Sequence, residues 1–422
     1  MNRAHRRRRK LHAGNQSGNA SIFGGAVQRG DGVAQGHRPA ATGEDRQGVK
    51  ARRLRGHRLQ VELEHATAGY PVVAGGVDPV DQGTHVINPG NRRQKTEHVG
   101  KPTDRPPYGD GVRFSIAIPQ FDSDGFDAAG LRAYLARAEE LGFECGWVLE
   151  QTIGQAPLLA PLELLAYCAA CTERLRLGVA VLVSSLHDPL QLASAITAVD
   201  RLSHGRLDVG VAPGGGGRQF AAFGVDKETF ISYFTEGLQL MKAAWSDEPR
   251  VTFHGRFRDV DDLPVQPKPV QRPHPPIWFG GLAPKALARA VRHGDSFLGA
   301  GSSTTEAFAG AVKIVRSELA EQDKDPSDLT HFTIGKRVYL MIDDDASKAR
   351  ERVLAGLRRI YGQMRGIDAV PVSGTPDDVA RGLREVIDAG AEMLLLNPAG
   401  SDVPENREQM ERLAAEVIPL LS

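Results

Sequence analysis

The sequence predicts an α/β chain in which eight parallel strands, each followed by at least one helix, close into a (β/α)8 TIM barrel with insertions. Three observations predict it. From residue 114 onward, short β-branched runs alternate with amphipathic helical stretches, the pattern of parallel strands wrapped by helices. Several of those runs are apolar on both faces, as a strand lying between a barrel interior and a helix layer must be. The aromatic residues share the same bias: of 25 in the chain, only Phe23, Tyr70 and Tyr108 fall in the first 110 residues. An open doubly wound sheet is the alternative, and it would need a reversal of strand order and two exposed edges.

The first strand is expected at 114–118. Leu131, Tyr134, Leu135, Ala138 and Leu141 then recur at helical spacing, with Gly142 where a glycine ends a helix. Residues 145–149 form the second strand and about 159–172 the next helix. The third strand, 175–183, is apolar throughout. Pro189 opens a helix that ends near His204 and Gly205, and 206–212 is strand four. A glycine loop at 214–217 precedes a helix marked by Phe230, Phe234, Leu238, Met241 and Trp245. A long excursion follows, and five prolines between 265 and 276 keep its end extended. Strands five to eight are expected at 277–279, 296–298, 332–342 and 393–396, with helices between them and a last helix at about 405–421.

Residues 1–110 have a different character. They carry 19 basic and 10 acidic residues, so the balanced totals of 52 and 52 divide into +9 before residue 111 and −9 after it. With neither helical nor alternating apolar spacing, this stretch is expected to be a disordered basic extension or the product of a misplaced start codon, with the domain beginning near residue 111. Its arginine clusters also allow a nucleic-acid contact, the weaker reading. No apolar run reaches membrane-spanning length and no signal-peptide segment follows the basic start, so a cytoplasmic protein without a membrane partner is expected. Cys168 and Cys171 form a CxxC pair on an apolar helical stretch, which reads as core, and no Cys/His spacing suggests a metal.

In barrels of this class reactive groups gather at the carboxyl ends of the strands, so the residues just past each run are the candidates. After strand two stand Glu150 and Gln151. Glu150 is suited to proton transfer at the barrel mouth, or is a structural carboxylate bonded to a neighbouring loop. After strand three come Ser184, Ser185 and His187; His187 is a second candidate for proton exchange, or it orders the helix start at Asp188 and Pro189. Pro213, Gly214 and Gly215 follow strand four without any nucleotide fingerprint around them. Gly280, Gly281, Leu282 and Ala283 follow strand five and lead into Pro284, presenting free amides and a positive helix end to a phosphate; a tight turn is the plainer explanation.

Four stretches in order resemble the bacterial luciferase-like monooxygenase superfamily, especially its flavin- and deazaflavin-dependent oxidoreductases. They read LGVAVLVSSLHDPLQLASAITAVDRLSHGR at 177–206, FAAFGV at 220–225, PPIWFGG at 275–281 and GTPDDVARGL at 374–383. The resemblance covers 112–422 and implies a barrel holding a flavin-type ring across its strand ends. It further implies a bulge at Ala180, Val181 and Val183 against one ring face, Val211 to Gly215 along the ring's polar edge, and phosphate at Gly280 to Ala283. Many relatives place a carboxylate followed by His after strand two, whereas Glu150 is followed here by Gln151, which cannot transfer a proton. The implied activity is hydride transfer between coenzyme F420 and a small organic substrate. An FMN-dependent monooxygenase using oxygen is the alternative, and a catalytically silent flavin-binding protein a further one. A homodimer is implied as well.

Overall fold

The computed structural model describes residues 111–121, 125–154, 156–215, 218–321 and 332–421; expectations for residues 1–110 lie outside them. Eight strands form the ring: β1 (Arg113–Ala117), β2 (Cys145–Val148), β3 (Arg176–Val183), β4 (Leu207–Ala212), β7 (Ile277–Gly280), β8 (Ser296–Gly299), β9 (Thr333–Ile342) and β11 (Met393–Pro398). All pair in parallel. The pairing of β8 with β9 and of β1 with β11 closes the sheet, which excludes the open doubly wound alternative. At the seam Arg113 on β1 donates to Thr333 Oγ1 on β9 at 2.7 Å and pairs with Glu144 at 3.0 Å.

The helices follow from local chemistry. Asp127 caps α1 (Ala128–Glu140) by accepting from Gly130 N, and Gly142 just beyond it has φ +81°. Next come α2 (Pro161–Cys171) and α3 (Pro189–Leu202), the latter capped by Asp188 with Pro189 in its first turn. Cys168 is buried on α2 and its thiol is pushed up to about 12 by that burial, consistent with a core role. Then follow α4 (Arg218–Ala222), α5 (Phe230–Trp245), α6 (Pro284–His293) and α7 (Thr305–Glu321). Between strands and helices lies the main apolar layer, which includes Leu177, Val179, Val209, Val211, Phe279 and Leu396. A smaller cluster fills the barrel interior, where Trp147 and Trp278 meet edge to face at 5.4 Å among Cys145, Leu298, Met393 and Leu395.

Two insertions depart from the sequence expectation of eight strands. The excursion after α5 contains an antiparallel hairpin, β5 (Arg250–His254) with β6 (Asp259–Pro264). After β9 the chain forms α8 (Ala346–Tyr361) and returns as β10 (Val372–Gly374), which pairs with residues 340–342 at the carboxyl end of β9. Only then come α9 (Pro376–Asp388), started by a capping box between Thr375 and Asp378, β11, and α10 (Val403–Arg412). The expected last helix is therefore α10 followed by a π turn at 413–417 and a 3-10 turn at 418–420. Because β10 extends the carboxyl end of β9, α8 lies at the mouth of the barrel. Arg359 donates to Ala399 O and Gly400 O at 3.1 and 2.8 Å, and Gln151 donates to Ile360 O at 3.4 Å. The Tyr361 and Tyr339 hydroxyls are 2.9 Å apart. No helix among the described residues is long and apolar enough to cross a membrane.

Candidate active site

Glu150 and His187 follow neighbouring strands, so the pairing of β2 with β3 brings them together. Glu150 Oε1 lies 2.7 Å from His187 Nε2, and Oε2 accepts from Val183 N at 2.5 Å. The carboxylate is 3% exposed and the imidazole 32%. A carboxylate only accepts, so Nε2 carries the proton and donates, which leaves Nδ1 as the nitrogen able to take or give one. The hydrogen bond to Glu150 raises the imidazole's pKa above its ordinary 6.5, against the opposing effect of its partial burial. Sequence reasoning selected both residues separately; their union depends on which strands are neighbours.

The strand joined to this pair is irregular where the resemblance implies a bulge. The β3 to β4 register shifts between Val179 and Leu182, and the Ala180–Val181 peptide is cis. Val181 is directed toward two glycines: a Cβ on Gly210 would meet its Cγ1 at 3.0 Å and one on Gly280 at 3.3 Å. The missing side chains let the bulged strand settle against β4 and β7, since a Cβ on Gly210 would also meet Val179 O at 2.2 Å, and Val181 lying over the two glycines forms a shelf on that side of the mouth. Gly210 was not singled out from the sequence. Val211 was, yet its side chain packs in the layer between strands and helices. Alternation along β4 was the available signal, since inward-facing Asp208 fixes position 210 on the same face.

Beyond the shelf, Gly281 has φ +138° and opens the turn into α6. That helix begins with Ala283 at the cap, without a side-chain cap bond, then Pro284; its first turn has no acidic residue. Gly281, Leu282 and Ala283 thus lead into a helix start whose amides and dipole suit an anionic tail. Gly214 has φ +82°, and a Cβ there would approach Val183 Cγ1 to 2.7 Å, so Pro213, Gly214 and Gly215 run close against the bulged strand. Residues 216 and 217 lie outside the described residues. The hydroxyls of Ser184 and Ser185, just past the bulge, are buried without a hydrogen-bond partner among the described residues. Unsatisfied polar atoms beside the shelf are what a polar planar ligand would meet.

Gln151 does not face this pair as a proton donor. Its amide donates to Ile360 O and ties the mouth to α8. Arg337 was also missed. It stands on β9, where Gly335 already faces Met393, Leu298 and Trp278 in the interior, so alternation turns Arg337 inward as well. A charge within the buried strand TIGKRVYLMI was the signal. The neighbouring Lys336 turns outward, donating to Ala300 O and Ser303 O at 2.5 and 3.0 Å; burial, then the charge of Arg337, push its pKa down to about 7.

Comparison with known proteins decides the family. The luciferase-like monooxygenase family matches residues 112–370. This chain is a member of it. As a luciferase-like monooxygenase family protein it is an oxidoreductase, built on the barrel described above. It is 26% identical over 330 residues to an F420-dependent glucose-6-phosphate dehydrogenase of Kineococcus radiotolerans, covering 71% of this chain and 95% of that one. It is 30% identical over 193 residues to the uncharacterized protein y4vJ of Sinorhizobium fredii, covering 44% of this chain and 55% of y4vJ. Among solved structures, monooxygenase RslO1 from Streptomyces bottropensis shares the fold, with a TM-score of 0.63 and 22% identity over 74% of this chain and all of that one.

Proposed function

We propose that this family member is a flavin- or deazaflavin-dependent oxidoreductase, specifically one that transfers a hydride between coenzyme F420 and a small organic alcohol, carbonyl or activated alkene. The observation that carries the reading is the Glu150 to His187 pair, hydrogen-bonded to the strand that bulges beneath the shelf. The family match supports a redox ring on that shelf, and the similarity to the Kineococcus enzyme favours the deazaflavin over FMN.

The residues fit such a group. Ala180 and Val181, seated against Gly210 and Gly280, would support the ring, Val183 with Pro213, Gly214 and Gly215 would border its polar side, and Gly281, Leu282 and Ala283 would take the phosphate. When bound, the coenzyme supplies the hydride chemistry. His187 holds or accepts the accompanying proton at Nδ1. Glu150 fixes the ring orientation of His187 and favours its charged form, the arrangement that activates an acid or base by a third group. The roof formed by α8 covers the β11, β1 and β2 side of the mouth, and a substrate would approach the ring between roof and shelf. This division of labour also disfavours a silent protein, because the imidazole absent after β2 is delivered from the turn after β3.

The test is absorption titration with coenzyme F420 and with FMN, followed by turnover against simple alcohols and carbonyls. His187→Gln and Glu150→Gln should bind coenzyme like the parent while kcat falls about 10²- to 10⁴-fold, the usual worth of a positioned proton donor. Failure of the parent protein to bind either coenzyme defeats the proposal. Binding of FMN alone, with oxygen consumption, selects the monooxygenase reading instead.

A further inference from the structure

Arg337 is 8% exposed, yet no carboxylate pairs with it among the described residues. It sits on β9 one residue beyond the partner of Gly299, where β8 ends, so its Cα stands at the level of the mouth. In the strand order β1, β2, β3, β4, β7, β8, β9, β11, the strand opposite β9 is β3. The side chain crosses that diameter: its Nη2 donates to Ala180 O at 2.7 Å, on the bulge. Gly301 makes the crossing possible, since a Cβ there would meet Arg337 Cδ at 2.8 Å. Nε is buried without an acceptor among the described residues. A guanidinium largely buried, with one carbonyl as its hydrogen-bond partner among the described residues, is unfavourable by itself, because desolvation of the charge is not compensated. The fold tolerates it in the place where a ligand would supply the missing negative charge.

The geometry points to Arg337 as an anion-binding residue on the floor of the mouth, taking a planar, negatively charged edge. Two sources share that chemistry: the redox ring of the proposed function in its reduced, anionic state, and a carboxylate on the substrate. For the ring this inference rests on the functional reading above; for a carboxylate it does not. Guanidinium suits either source, being planar, always charged and able to donate in parallel to two acceptors.

The experiment uses the full chain and its Arg337→Gln and Arg337→Lys variants, with FMN and coenzyme F420, each oxidised and reduced, and benzoate as a planar carboxylate probe. Binding is read by coenzyme absorption and by the fluorescence of Trp147 and Trp278 in the barrel interior. If the ring is the source, Arg337→Gln weakens the reduced coenzyme at least about tenfold and the oxidised one little, with partial recovery in Arg337→Lys. If a substrate carboxylate is the source, both redox states bind unchanged while benzoate binding falls at least about tenfold. A parent protein that binds no coenzyme but binds benzoate through Arg337 supports this inference while the functional reading fails. The inference is overturned if Arg337→Gln, with an unchanged melting profile, alters neither. Should that variant not fold, the parent protein decides: equal affinity for oxidised and reduced coenzyme, together with no benzoate binding, overturns it.

Discussion

His187 is tuned chiefly by one neighbour, Glu150, with a smaller contribution from Glu163. Its imidazole is a third exposed, and the Glu150 carboxylate holds its protonated form above the ordinary value of 6.5. The stabilisation this gives the fold is complete below about 6.5, where the unfolded imidazole is also charged, and is lost as pH rises through the raised folded value. Glu150→Gln removes the cause. The imidazole of that variant should titrate at lower pH than in the parent protein, read by the His187 Cε1 proton in NMR, and the stability gap between the two should narrow from pH 5.5 to 8.5 in urea unfolding. An unshifted titration would show that the 2.7 Å contact does not govern the proton. Both residues were selected from sequence because each lies just past an apolar run, Glu150 directly and His187 after the turn at Ser184 and Ser185. Arg337 escaped because a charge in a buried strand has meaning only once the strand's inward face is known.

At the scale of elements, α8 fits the mouth through the absence of a side chain. A Cβ on Gly356 would lie 2.3 Å from Ala399 O and 2.6 Å from Ala399 Cβ, contacts that only movement of the helix or of the β11 turn relieves. Gly356→Ala should therefore destabilise the protein by about 1–3 kcal/mol despite alanine's better helix propensity. Hydrogen exchange over 346–361 should quicken; slower exchange there would mean the helix does not rest on Ala399. The ring strands were legible because both of their faces are apolar, a demand that sequence displays directly. The β5–β6 hairpin was not: β6 reads DVDDLP with only Val260 buried, so no alternation betrays it. Nor does periodicity distinguish α8 from α9, since a helix lying across the mouth and one packed on the outer wall each need a single apolar stripe.

At the scale of the whole molecule, every residue assigned to the site lies between Glu150 and Tyr361, and the family match begins at residue 112. A chain beginning at residue 111 should bind coenzyme within about twofold of the full one, because the groups that bind it are all retained. Calorimetric titration of both forms checks this, and a large loss would give residues 1–110 a part in binding. The seam has a temporal side too. The register that sets Arg113 against Met393 joins the first ring strand to the last. During synthesis, at roughly 5–20 residues per second, β1 therefore waits on the order of tens of seconds for the neighbour that completes it. Until that neighbour leaves the ribosome, the nascent sheet carries two open edges able to anneal with other chains, so a message truncated before codon 393 should yield aggregates rather than a smaller enzyme.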